Sequence, residues 1–578
     1  MKRLVKIIDA LRLILSLLGI GLVIFDDGWQ GDTLIVRTIW LMYGLLFLAI
    51  STTIGASLFF RSRCKQPLRK GDFTMTLLFL VMGIAALAEG QNTVFLSAIS
   101  SIFSLIFFLI EISRLSFSMQ RRTFRPAKLF VLSFIFLIVA GTMLLMLPGA
   151  TVSGISFVDA LFTSTSAVTV TGLAVLDTGK VFTLFGQSVI MLLVQAGGLG
   201  IMTFTSFLGF FFKGRTSIQE QMRIQDITNV NLGSARNFII QVVVFTLAVE
   251  GIGALLIFLF SPGNLFVSNF DRAFFSVFHS ICAFCNAGFS TMTNNLYELP
   301  FRFNYSVQLV VALLLVIGGL GYGLIFNGFS YLYYSTKRFF GRLIFKKNYE
   351  RKLWLLNLNS IIVLRTTLIL TVVGMVGFLV FEYNYALVEH TTWYGKLVTS
   401  FFASVTPRTA GFNTVNIATL TIPSIMICLL LMWIGASPGS TGGGIKTTTF
   451  AIATLNIFAI ARNKDRLEIK NREISDLSIR RAFATICLSL IAIGFSVFFV
   501  SFFEEEKTLI SIAFECFSAY STVGLSTGIT PLLGVESKYV LVVTMFFGRV
   551  STMMILIAIL RQVSSLPYRY PKEDILIN

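Results

Sequence analysis

Four glycines carry the one piece of chemistry that this sequence repeats. Gly172, Gly288, Gly411 and Gly524 close the stretches TVTGL, CNAGF, TPRTAGFNT and STVGL, at intervals of 116, 123 and 113 residues. A phenylalanine stands ten positions before each, at Phe162, Phe278, Phe401 and Phe514. A bulky apolar residue follows each, at Leu173, Phe289, Phe412 and Leu525. Glycine adopts backbone conformations closed to other residues, so successive carbonyl oxygens can turn the same way. Inward carbonyls can then replace the hydration shell of an ion. The segments Thr169-Val170-Thr171-Gly172, Cys285-Asn286-Ala287-Gly288, Arg408-Thr409-Ala410-Gly411 and Ser521-Thr522-Val523-Gly524 are short enough for this and hold no acidic side chain. Neutral carbonyls suit a monovalent alkali cation; Ca²⁺ and Mg²⁺ sites usually recruit carboxylates. The short helices expected before each loop would aim their negative ends at the same place.

The elements that must position these loops are set by composition. Of 578 residues, 55% are hydrophobic and 13% charged, and mean hydropathy is +0.82. Soluble domains carry roughly 25% charged residues, so the surface is built for lipid. A net charge of +18 could suggest nucleic acid. However, Lys and Arg gather in the short loops between apolar runs, as orientation in a bilayer requires. Two histidines, His279 and His390, leave little room for histidine-based metal or acid–base sites. The lone C-x-x-C at Cys282 and Cys285 lacks the second ligand pair of a zinc site. No paired Asp or His–Glu set points to a membrane enzyme. The first apolar run lacks a small-residue cleavage site and is expected to span rather than be removed.

A bilayer core needs about 20 apolar residues as helix. On that rule the first 120 residues hold four spans, near 9–25, 35–60, 73–89 and 94–114. Four units of span, half-length loop and span follow, in domains 125–215, 235–345, 355–465 and 478–565, before a tail at 566–578. Their paired spans are expected at 128–148 and 184–212, 237–260 and 306–334, 361–381 and 422–460, and 481–503 and 538–560. The half-length stretches are too short to cross and are expected to re-enter, which demands a shared protein-lined or water-filled cavity. Basic linkers such as KGRTSIQEQMR and RNKDRLEIKNREISDLSIRR are expected in the cytoplasm with both termini, and the glycine loops are approached from outside. The fold class is all-α integral membrane, with twelve spans. Duplication for packing alone, as in a solenoid, gives no reason for glycine, phenylalanine and hydroxyls at fixed offsets.

TVTGL, CNAGF, TPRTAGFNT and STVGL, each between two spans, resemble the Trk/Ktr/HKT superfamily of potassium transporters over about residues 125–565. The resemblance implies a pseudo-fourfold K⁺ pore in one chain, homodimerisation in a cytoplasmic (inner) membrane, and a cytoplasmic nucleotide-binding regulatory subunit. No G-x-G-x-x-G after a strand occurs in this chain, so nucleotide sensing would fall to that partner. Glycine in all four loops resembles the potassium-selective members; a sodium-permeable or cation-coupled symporter of the same fold is the alternative. Transported K⁺ is the cargo, and no cofactor is expected. The four amino-terminal spans depart from the family core.

A second irregular stretch, Gly435-Ala-Ser-Pro438-Gly439-Ser-Thr-Gly442-Gly443-Gly444-Ile-Lys446-Thr447, must break a helix in mid-membrane. It lacks the Gly-Lys-Thr order of a phosphate loop. The resemblance implies an intramembrane gate there. It also implies a gate element at Arg549, a charge set deep in an apolar run where charge is expensive. Glu515 and His279 stand nine residues before their glycines and are expected to tune pore-helix packing or cation attraction. Arg408 is expected to pair with an acidic neighbour.

Overall fold

Serine and threonine set the start of every short helix that leads to a glycine loop. The computed structural model describes residues 126–200, 235–345 and 357–560, with positions 11, 12, 15, 52, 53 and 55 besides. The expected amino-terminal spans, the far end of the 184–212 span and the tail lie outside the described residues. The helices in order are α1 (Pro126–Leu145), α2 (Phe157–Val168) and α3 (Leu184–Gly198), then α4 (Ala235–Phe260), α5 (Asn269–Cys285), α6 (Tyr305–Leu320) and α7 (Tyr322–Phe345). They continue with α8 (Leu358–Glu382), α9 (Trp393–Val405), α10 (Ile422–Trp433), α11 (Thr447–Ala461), α12 (Asp476–Phe503), α13 (Leu509–Ser521), α14 (Val535–Val550) and α15 (Thr552–Ile559). A hairpin of β1 (Glu468–Ile469) and β2 (Arg472–Glu473), paired Glu468 to Glu473, follows α11.

The short helices α2, α5, α9 and α13 are N-capped by Ser156, Ser268, Thr392 and Thr508. Each hydroxyl accepts from a backbone N–H that has no partner inside the helix. At Ser268 the Asp271 carboxylate bonds back, completing a capping box.

Among the described residues three helices are long and apolar enough to cross a bilayer unaided: 240–260 within α4, α8 and α12. The spans expected as continuous at 306–334 and 538–560 are both broken. α6 meets α7 at 100° and α14 meets α15 at 87°. Gly321 (φ 84°) and Ser551 (φ 71°) sit in the left-handed region at these breaks. The third unit breaks more widely, between Trp433 and Thr447. In the first unit, α3 ends at Gly198, followed by Gly200 at φ 75°.

Apolar tails compete equally for an apolar helix face, so helices in lipid are joined by close approach of small residues and by buried hydrogen bonds. Both devices recur here. Ser164 on α2 donates to the Ile138 carbonyl on α1 (2.7 Å), Ser280 on α5 to Glu250 on α4 (2.6 Å), and Ser404 on α9 to Thr371 on α8 (2.7 Å). Opposite each hydroxyl lies a glycine, at Gly141, Gly253 and Gly374, where a β-carbon would overlap it. A second set, Gly197, Gly318 and Gly548, lets the carbonyls of Val168, Phe284 and Tyr520 at the short-helix ends lie against the following helix. Between units, α3 packs on α5, α6 on α9, α10 on α13, and α14 on α2. The four units thus close into a ring in chain order.

Candidate functional site, a ring of four backbone loops

The four glycines meet. A β-carbon on Gly172 would overlap the backbone of Gly288, one on Gly288 that of Gly411, one on Gly411 that of Val523 and Gly524, and one on Gly524 that of Thr171 and Gly172. Backbone therefore abuts backbone all the way round, in chain order. The Val523 carbonyl oxygen lies against Gly411, and that of Thr171 against Gly524.

Each loop enters the ring through a left-handed residue two positions before its glycine: Val170 (φ 58°), Asn286 (φ 61°), Thr409 (φ 87°) and Thr522 (φ 51°). Three of these are β-branched, for which that region is a genuine outlier, and such strain persists only where surroundings impose it. The short helices supply the imposition. Thr171, Ala287 and Val523 donate to carbonyls five residues back, at Ser166, Cys282 and Ser518 (2.8–2.9 Å), in the manner of a Schellman end. Thr169 caps its helix, while Cys285 and Ser521 are still the last helical residues of theirs. The loops are thus shorter than the four-residue extended segments expected from sequence. Side-chain hydroxyls finish the clamp: Ser166 bonds both Gly172 N–H (3.1 Å) and the Leu173 carbonyl (2.7 Å), and Ser518 accepts from Gly524 N–H (3.0 Å).

The third loop is built one residue shorter. Ala410 donates four residues back, to Thr406, and Thr406 hydroxyl reaches the Phe412 carbonyl as Ser166 reaches Leu173. Ser404 and Phe402 accordingly stand one position nearer their glycine than Ser164 and Phe162 do. The fully buried phenylalanine of α9 is Phe402, while Phe401, ten positions before its glycine, is half-buried.

On one side the ring opens into a cavity of about 260 Å³ bordered by all four glycines, Asp177, Asn295 and Asn413. His279 and Glu515 brace its wall. His279 bonds Phe275 carbonyl and Ser290 hydroxyl, both at 2.9 Å. Glu515 accepts from Ser526 (2.7 Å), Thr527 N–H (2.9 Å) and Thr530 (2.7 Å). Ser290 and Ser526 stand at the same offset from their glycines. At the outer seam between the second and third units, His390 bonds Tyr305 hydroxyl (3.0 Å); burial, with Arg302 and Lys396 nearby, lowers its pKa to about 4.

On the other side lies the broken stretch between α10 and α11. Ile434 and Ile445 pair as a parallel bridge that closes it into a loop. Ser437 and Thr441 donate their N–H groups to the carbonyls of Gly319 and Gly318, and Tyr322 donates to Gly439, so the loop is clipped to the α6–α7 break. Its glycines lie directly under the ring: Gly442 against the Thr409 hydroxyl, Gly443 against the Thr522 hydroxyl. Both hydroxyls are buried without a protein partner. The side chains of Thr441 and Asn286 are 2.8 Å apart. Lys446 folds back onto Gly442 carbonyl (2.6 Å). Arg549, from the α14–α15 break, donates to the carbonyls of Thr441 and Gly197. One loop and one arginine thus touch all four units beneath the glycines.

Arg408 departs from expectation. Its guanidinium points away from the ring toward Thr367 and Thr371 of α8, each at 3.4 Å, and no carboxylate pairs with it among the described residues. A largely buried set escaped sequence reading: Glu250 accepts from Gln195 (3.0 Å) beside the Cys285 thiol (3.8 Å) behind the second loop. Its only sequence signal is a carboxylate within an apolar run. No group of three His, Cys, Asp or Glu side chains could hold a metal among the described residues.

Long apolar helices around a closed ring of backbone loops, with a further loop beneath, fit an integral membrane transport protein. Residues 91–565 match the family described as TrkH, cation transport protein, and the chain belongs to that family. It is 35% identical over 454 residues to Ktr system potassium uptake protein B of Bacillus subtilis (strain 168), covering 78% of this chain and 96% of that protein. It is 32% identical over 468 residues to potassium/sodium uptake protein NtpJ of Enterococcus hirae, covering 79% and 98%. The crystal structure of the potassium transporter TrkH from Vibrio parahaemolyticus shares the fold, with a TM-score of 0.60 at 17% identity over 84% of this chain and 96% of that one.

Proposed function

We propose that the chain is the pore-forming subunit of a potassium uptake system. Its selectivity filter is the ring around Gly172, Gly288, Gly411 and Gly524, and its gate is the loop at 435–447 held by Arg549. The observation that carries the reading is the closure of the ring in chain order, each glycine backed by the next loop's backbone. Twelve spans, four amino-terminal and eight in the pseudo-fourfold units, are read from apolar run lengths, both cytoplasmic termini from the charge of the loops, and placement in an inner membrane from the family resemblance. A homodimer and a cytoplasmic nucleotide-binding regulatory subunit, as the family resemblance implies, would complete the working assembly.

Potassium would shed water for carbonyl oxygens in the ring, entering from the cavity bordered by Asp177. Two cations, Lys446 and Arg549, lie under it, neither ion-paired among the described residues. They oppose passage electrostatically until the loop moves. The name of the Enterococcus relative supports a second reading, in which sodium also passes.

Uptake by potassium-transport-deficient cells, with potassium and sodium flux into proteoliposomes, tests this. Wild type is expected to restore growth at low potassium. Gly172→Ser, whose β-carbon would overlap Gly288, is expected to lower potassium-over-sodium discrimination about tenfold, the equivalent of about 1.4 kcal/mol. A wild-type protein that carries no potassium, or a Gly172→Ser variant with unchanged discrimination, overturns the filter.

A further inference from the structure

The ring is not symmetric, and the asymmetry has a side chain behind it. Gly172, Gly411 and Gly524 have φ of 86°, 76° and 89°, whereas Gly288 is outside the left-handed region. Its carbonyl oxygen is also the one that a side chain occupies. Asn295 Nδ2 donates to it at 3.1 Å. Among the described residues no side chain donates to the carbonyls of Gly172, Gly411 or Gly524.

Asn295 is fixed for this task. It sits at φ 56°, a conformation asparagine tolerates better than most residues. Its Oδ1 accepts from Leu296 N–H at 2.9 Å, which sets the amide plane and directs the NH₂ group to the ring. Leu296 is buried in the core and anchors the turn. Asn295 and Gly288 both border the outer cavity, so the amide acts at the mouth of the ring.

We propose that Asn295 is a specificity-determining residue of the ring: it holds the Gly288 peptide in its own orientation and shares that carbonyl with any cation at the mouth. The inference rests on the filter reading given above. A carbonyl has two lone pairs, and a donor on one leaves the other for an ion while fixing its direction. A pinned carbonyl cannot swing inward to meet a smaller ion. Asn295 therefore disfavours sodium more than potassium.

Two variants test it. Asn295→Gly keeps the left-handed turn without strain and removes the donor. Asn295→Asp keeps the shape and puts an acceptor where the donor was. Both are expected to lower the ratio of sodium to potassium half-saturation constants roughly three- to tenfold, the worth of one hydrogen bond. Membrane abundance and melting temperature are expected to stay near wild type for Asn295→Gly. A ratio within 1.5-fold of wild type (a threshold of about 0.2 kcal/mol) in either folded variant overturns the proposal. A fall in maximal rate and stability with the ratio intact also overturns it, assigning Asn295 to loop structure alone. Wild type is run alongside: if it shows no potassium flux, the filter reading fails; if it does and the variants match it, only this inference fails.

Discussion

At the residue scale, Arg549 shows what a charge in lipid is for. Its guanidinium spans two carbonyls, Thr441 in the loop and Gly197 in the first unit. A lysine ammonium is a point charge and cannot present the same fork. Arg549→Ala takes the side-chain donor from the Thr441 and Gly197 carbonyls and, on the gate proposed above, removes a barrier charge, so basal potassium leak into proteoliposomes is expected to rise several-fold, about 1 kcal/mol of barrier. Arg549→Lys is expected to fall between. Unchanged leak in Arg549→Ala would remove the arginine from the gate. The residue itself was legible, because a lone charge in an apolar run is conspicuous. Its partners, 108 and 352 positions away, were not, since a backbone carbonyl has no sequence signature. The register of the third loop was hidden for a related reason. Counting back from Gly411 lands on Phe401, and its neighbour Phe402, which fills the buried place, is the same residue type.

Elements are held by a second layer of glycines that no repeated motif marks. Gly318 meets the end of α5 so closely that a β-carbon would overlap the Phe284 carbonyl, whereas a β-carbon on Gly251 of α4 would meet nothing within 4 Å. Gly318→Ala is expected to cost about 1–3 kcal/mol through overpacking and to lower the melting temperature in detergent. Gly251→Ala is expected to be neutral or slightly stabilising, by the helix propensity of about 0.5–1 kcal/mol. Equal melting of the two variants would show that the crossing relaxes freely and carries no constraint. The breaks after α6 and α14 escaped sequence reading because no proline marks them; each rests on one positive-φ residue, Gly321 or Ser551. Only the third break, with five glycines and a proline between 435 and 444, announces itself.

The four described units form a ring, and a ring made from one chain needs a seam where last meets first. Three seams join neighbours in sequence; the fourth sets α14 against α2. It holds an ion pair between Lys538 and Asp159, at 2.7 Å, with the side chains 13% and 19% exposed. Their separation of 379 positions places the pair beyond any local pattern. Asp159 also accepts from the Ser156 hydroxyl at the helix start, so the pair ties ring closure to the entry of the first filter helix. Removing one partner leaves the other charge half-satisfied, and charged hydrogen bonds of this kind contribute about 1.5–3 kcal/mol. Lys538→Met is expected to lower the melting temperature, to slow potassium uptake and to leave potassium-over-sodium discrimination intact, because the backbone contacts of the ring lie elsewhere. Asp159→Asn combined with Lys538→Met is expected to cost less than the sum of the single variants, with a coupling of about 0.5–3 kcal/mol. Additive losses would show that the two charges act separately, and that the seam between last and first units is closed by helix packing alone.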